Sequence, residues 1–200
     1  EHHSDSPETF FIHTPGLKVV MPSTPYDAKG LLVSAIRDPD PVIFFEPKKI
    51  YRAIKEEVPD EPYTIPIGKA KIIKPGNDLT LITYGSSVKT SLEATQELSN
   101  IDVELIDLRT LSPLDTETII SSVKKTGKVV IVQEAQKTLG LASEIIARIN
   151  EKALFNLEAP IERVTGYDIV VPLPKKEHLY FTNKKKIINA IEKVMKNSEK

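Results

Sequence analysis

The stretch Leu79-Thr80-Leu81-Ile82-Thr83-Tyr84-Gly85-Ser86-Ser87, running on into Val88–Leu98, decides the fold. A short apolar run of strand length meets a glycine–serine turn, and a helix is expected directly after it. The alternation continues toward the carboxy terminus. Strands are predicted at Val103–Leu108, Val129–Gln133 and Ile161–Val164, and helices at Thr116–Lys125, Ala142–Lys152 and Lys184–Lys196. Gly127 follows the Thr116–Lys125 helix, where a left-handed carboxy-terminal cap is wanted. Strands alternating with helices through short connections define an α/β domain with a mostly parallel sheet, assigned here to residues 67–200.

Working toward the amino terminus, residues 49–66 lose this pattern in a run of charges and prolines and read as an inter-domain linker. Residues 1–48 hold a further β-α-β pattern. Leu17–Met21 reads as a strand, and Ser23 or Thr24 caps a helix with Pro25 in its first turn. Ala28, Leu31, Leu32, Ala35 and Ile36 follow at helical spacing until Asp38-Pro39 stops the helix. Pro41–Glu46 is nearly all apolar, as a parallel strand covered on both faces requires.

Composition narrows the function. A formal net charge of −1 gives no global field toward nucleic acid or anionic lipid. The local cluster Lys184-Lys185-Lys186 reads as a solvated helix start. The chain has no cysteine, which excludes disulfides, thiolate metal sites and a thiol nucleophile and is compatible with a cytoplasmic setting. No apolar run approaches the roughly 20 residues that span a bilayer. Glu1-His2-His3-Ser4-Asp5-Ser6 is neither a signal peptide nor a methionine start, so the chain reads as a piece of a longer subunit.

Few short motifs carry chemistry. Tyr84-Gly85-Ser86-Ser87 lacks the lysine or glycine series of a phosphate loop and reads as a turn with a serine N-cap. The histidines, His2, His3, His13 and His178, have no zinc spacing, and His2-His3 taken alone is a solvated terminus or a tag remnant. Asp107 and Arg109 read as a local ion pair at a strand end. Asp38-Pro39-Asp40-Pro41 is a rigid turn. The carbonyls of Ala35 and Ile36, a backbone oxygen of Asp38 and the Asp40 carboxylate can also gather round a hard cation there.

Thr14-Pro15-Gly16-Leu17-Lys18-Val19-Val20-Met21-Pro22-Ser23-Thr24-Pro25-Tyr26-Asp27-Ala28-Lys29-Gly30-Leu31-Leu32 is more specific than any of these motifs. It closely resembles the β subunits of thiamine-diphosphate-dependent 2-oxo acid dehydrogenases, the pyruvate and branched-chain enzymes. The likeness continues through Ala35–Pro41 and Phe44–Pro47, and resumes at Ile106–Thr110, Pro113–Asp115, Gln133–Ala135 and Leu157–Val164. The resemblance implies the end of a pyrimidine-binding domain followed by a transketolase carboxy-terminal-like domain. It also implies thiamine diphosphate and Mg2+ in the complete enzyme, an α subunit in an α2β2 assembly with a β–β contact, and docking on the acyltransferase core through its subunit-binding domain.

Three carry-overs follow from the likeness. His3 matches the family's active-site histidine, a residue suited to binding the substrate carboxylate or donating a proton. Ala35, Ile36, Asp38 and Asp40 match its potassium-binding segment, with Asp40 where many relatives have asparagine. The glutamate that activates the cofactor's aminopyrimidine is expected upstream of Glu1, so residues 1–200 alone are expected to be inactive. Gly166-Tyr167-Asp168 with Pro172 leans toward branched-chain substrates, whereas Asp5 and Gln133–Lys137 lean toward pyruvate. The branched-chain reading is favoured slightly, with the pyruvate enzyme, a non-catalytic docking module and a transketolase-like enzyme as alternatives.

Overall fold

The structure is a computed structural model and describes residues 4–198. Its amino-terminal portion contains α1 (Glu8–Ile12), β1 (Lys18–Val20), α2 (Pro25–Arg37) and β2 (Val42–Phe44). Thr24 is the N-cap of α2: its hydroxyl accepts the Asp27 backbone N–H, and Pro25 occupies the first turn. At the other end Asp38 turns extended before Pro39, so the helix cannot continue. Strands β1 and β2 pair in parallel through this crossover, with Val19 opposite Ile43.

The larger portion comprises β3 (Lys71–Lys74), β4 (Leu79–Thr83), α3 (Ser87–Gln96), β5 (Val103–Asp107), β6 (Thr110–Ser112), α4 (Thr116–Thr126), β7 (Val129–Gln136), α5 (Leu141–Ala153), β8 (Glu162–Gly166), α6 (Glu177–Tyr180) and α7 (Lys184–Asn197). Five strands form one sheet in the order β3-β5-β4-β7-β8, parallel except for the antiparallel edge strand β3. Every residue of β4 and β5 is buried, as strands covered on both faces must be. Leu81, Leu105 and Val132 pack against α3 and α7 through Ala94, Ile187, Ile191 and Val194. Ile82, Ile106 and Ile131 pack on the opposite face against Ile119 and Val123 of α4 and Ile145 and Ile149 of α5. Gly127 closes α4 with φ +65°, a conformation in which a Cβ costs about 1–2 kcal/mol.

The two portions are stitched together. Strand β6 leaves the large sheet and pairs antiparallel with β1, giving a three-stranded sheet β2-β1-β6. Met21 N–H donates to the Arg109 carbonyl at 2.8 Å just beyond that pairing. The segment from residue 51 to 66 lies along α2. Tyr63 stacks on Tyr26 with ring centroids 4.5 Å apart and donates its hydroxyl to the Tyr26 carbonyl at 2.7 Å. Gly30 permits this approach, since a Cβ there would meet Ile65 and Tyr63 at 2.7 Å. Charge and proline content suggest a free surface crossing, but one tyrosine stack and one buried isoleucine tie the segment down.

Candidate functional site

The crossovers fix where a site can form. The chain runs from β4 through α3 to β5 on one side, then returns through α4 past β4 to β7 on the other. The strand order therefore reverses between β4 and β7, and in an open α/β sheet the crevice beyond the carboxyl ends of those strands is the natural binding position. Tyr84 and Ser86 follow β4, and Glu134 lies near the end of β7. All three line a cavity of about 720 Å³. Its opposite wall comes from the amino-terminal portion, through the segment from Ser4 to Glu8, Met21, and the stretch from Phe45 to Lys49. Glu177, His178, Phe181 and Asn183, around α6, complete it.

Glu8, in the first turn of α1, is 1% exposed and accepts the Tyr84 hydroxyl on Oε1 at 2.7 Å. Its other oxygen, Oε2, is buried without a hydrogen-bond partner among the described residues. Burial pushes the Glu8 carboxyl above its ordinary value, and the nearby Glu134 charge adds to this against the lowering effect of the Tyr84 bond. Burial and the Glu8 charge hold the Tyr84 hydroxyl well above 10, so it stays a donor. Ser86 donates to Glu134 Oε2 rather than capping α3, so the serine N-cap read from the sequence is not formed by this side chain. Gly85 has φ +57°, and a Cβ there would come within 2.5 Å of Met21 Sδ. The glycine therefore lets β4 end directly against the amino-terminal portion.

A polar clasp joins the two portions where β5 ends. Ser23 donates to Asp107 Oδ2 at 2.5 Å and the Arg109 backbone N–H donates to Asp107 Oδ1 at 3.0 Å. The Arg109 guanidinium turns away from Asp107 and reaches Asp27 Oδ1 at 3.2 Å, donating also to the carbonyls of Lys69 and Ala70. Arg109 stands at φ +54°, which directs its side chain across the junction. The local Asp107–Arg109 side-chain pair expected from the sequence is thus replaced by a pairing over 82 residues of chain. Burial pushes the Asp107 carboxyl up to about 7, against the lowering effect of its two hydrogen bonds.

The other sequence-derived sites fall elsewhere. His3 lies outside the described residues; Ser4 and Asp5, which follow it, border the cavity. Asp38 and Asp40 share one ammonium group, Lys18 Nζ, at 2.7 and 3.1 Å. The Ala35 carbonyl accepts the Asp38 N–H at 3.4 Å, and Ile36 is 75% exposed. A chain cation, the Lys18 ammonium, thus holds both carboxylates in this structure. Lys184 and Lys186 are not merely solvated: Lys184 pairs with Glu97, and Lys186 donates to the carbonyls of Leu179 and Phe181 while standing 4.6 Å from the Tyr167 ring centroid. Among the described residues no helix is long and apolar enough to cross a membrane, and no group of acidic, histidine or cysteine side chains has metal-binding geometry.

The doubly wound sheet and its appended β-α-β define the class. The family described as the transketolase C-terminal domain matches residues 68–187, and the transketolase pyrimidine binding domain matches residues 1–54. The chain belongs to the transketolase C-terminal domain family, preceded by pyrimidine-binding-domain sequence. A pyruvate dehydrogenase E1 component subunit beta of Acholeplasma laidlawii is 57% identical over 198 residues, covering 98% of this chain and 61% of that protein. The Bacillus subtilis protein of the same name is 51% identical over 197 residues, with the same coverage. The chain thus spans about three fifths of the length of these curated relatives. A solved split-gene transketolase, described as an inactive beta4 tetramer, superimposes with a TM-score of 0.78 at 21% identity, covering 95% of this chain and 61% of its own. That likeness speaks for the fold.

These relatives favour the pyruvate alternative over the branched-chain reading. The branched-chain reading finds no support among them. Asp168 accepts the Thr138 backbone N–H and hydroxyl, both at 2.9 Å, and Tyr167 packs edge-on against Tyr180. Neither residue lines the cavity, so both are tied to a surface turn and carry little information about substrate.

Proposed function

We propose that this chain is the carboxy-terminal part of a pyruvate dehydrogenase β subunit, which acts with an α subunit in oxidative decarboxylation and acyl transfer to lipoamide. The observation that carries the proposal is 57% identity across 98% of the chain to a protein of that name. The cavity supports it, because it opens between the pyrimidine-domain and carboxy-terminal portions at the strand-order reversal. Thiamine diphosphate, held with Mg2+ in the complete enzyme, would supply the carbanion chemistry. The part played by this chain is to form a wall of the cavity, exclude water through the apolar faces of Met21 and Phe45, and present His3 as the catalytic histidine. The division into residues 1–48, 49–66 and 67–200, the α2β2 assembly, the acyltransferase contact and a cytoplasmic setting belong to the same proposal.

The test is to co-express the complete subunit with its α partner and follow reduction of an artificial electron acceptor. Pyruvate-dependent reduction that requires both subunits and thiamine diphosphate is the expected result. No rate with any 2-oxo acid would contradict the proposal.

A further inference from the structure

The Glu8–Tyr84 contact joins the two portions of the chain at the cavity wall. Glu8 begins α1, and the residues before it, Ser4 to Pro7, border the cavity directly. Tyr84 is the residue after β4 and is 4% exposed, so its position is fixed by the large sheet. Helix α1 has only five residues, and its N-cap, Pro7, makes no side-chain capping bond. Such a helix does not hold itself in place. Its first turn carries a carboxyl that is almost wholly enclosed, bonded through one oxygen to the tyrosine and through the other to no partner among the described residues. No described cation pairs with it. A buried, half-satisfied carboxyl costs stability, which makes a plain packing role a poor account of it.

We propose that the Glu8–Tyr84 hydrogen bond is a positioning device: the carboxy-terminal domain uses it to set the Ser4–Pro7 wall of the cavity, the segment that continues from His3. Glu8 and Tyr84 are positioning residues and act through that segment rather than on a reacting group. Glu8 accepts the Tyr84 hydroxyl at 2.7 Å, and its enclosure raises its carboxyl above the ordinary value. Glu134 accepts the Ser86 hydroxyl on the same wall. The inference rests on the reading of His3 as the catalytic histidine.

A double-mutant cycle in the complete α–β enzyme tests it. Tyr84→Phe keeps the ring and removes the bond; Glu8→Ala removes the acceptor; His3→Ala removes the proposed catalytic group. Tyr84→Phe and Glu8→Ala are each expected to lower kcat about tenfold with KM changed less than about threefold, the signature of misplacement rather than weakened binding. Glu8→Gln, which retains an acceptor for Tyr84, should recover most of what Glu8→Ala loses. In the His3→Ala background Tyr84→Phe should cost nothing further. An equal loss from Tyr84→Phe with and without His3 would overturn the inference, as would unchanged kcat in both Tyr84→Phe and Glu8→Ala. Should Tyr84→Phe fail to assemble, the Glu8→Ala and Glu8→Gln pair in both backgrounds decides alone. If His3→Ala by itself is as active as the wild type, the reading of His3 falls, and that single variant reports it separately.

Discussion

At the residue scale, the Asp107 clasp makes a stability statement. Asp107 is fully buried and its carboxyl, ordinarily near 3.8, stands at about 7 in the folded chain. A folded value above the unfolded one means that the folded chain holds the extra proton through that interval. The contribution is therefore full below about 4 and is lost as pH rises toward 7. Asp107→Asn keeps an acceptor for Arg109 and a polar partner for Ser23 but cannot ionise. Urea unfolding at pH 4.5 and 7.5 should show the wild type losing on the order of 3 kcal/mol more than the variant across that range. Parallel pH profiles would contradict it. The sequence shows that Asp107 and Arg109 share a strand end, and an ion pair between them is the economical reading. It cannot show that a left-handed Arg109 backbone sends the guanidinium to Asp27, because that partner is brought near only by the β1–β6 pairing. Glu8 is hidden for the same reason: nothing near it in the chain announces Tyr84.

At the element scale, helices with their own punctuation are legible. Thr24-Pro25 opens α2 and Gly127 closes α4, and both ends lie where local chemistry puts them. The elements that escape are those whose order comes from a distant neighbour. Strand β3, Lys71-Ile72-Ile73-Lys74, is a short edge strand flanked by lysines, and β6 is three residues long and is a strand only through its pairing with β1. The turn between α2 and β2 shows a further limit. Oxygens suited to a cation are legible in Ala35, Ile36, Asp38 and Asp40, yet Lys18, at the start of β1, takes both carboxylates and holds Asp38 below the usual carboxylate range. A potassium ion at this turn is accordingly proposed only as an alternative to that ammonium. Lys18→Met should melt at a lower temperature in sodium chloride and recover in potassium chloride. Equal melting in the two salts would contradict the potassium proposal.

At the scale of the whole molecule, the class of fold is legible because strand and helix alternate with short connections, and a doubly wound sheet follows from that order. The cavity is not legible, since it is assembled from the segment leading into α1, from residues after β1, β2 and β4, from the end of β7 and from the turn at α6. Asp168, one of the residues that lean toward branched-chain substrates, holds a surface turn through Thr138. The proposal that this chain belongs to a pyruvate-decarboxylating β subunit meets its sharpest test in the ratio of kcat/KM for pyruvate to that for 3-methyl-2-oxobutanoate. In the complete subunit assembled with its α partner, the expected ratio is above about 10, a difference of about 1.4 kcal/mol in transition-state binding. A ratio near or below unity would contradict it.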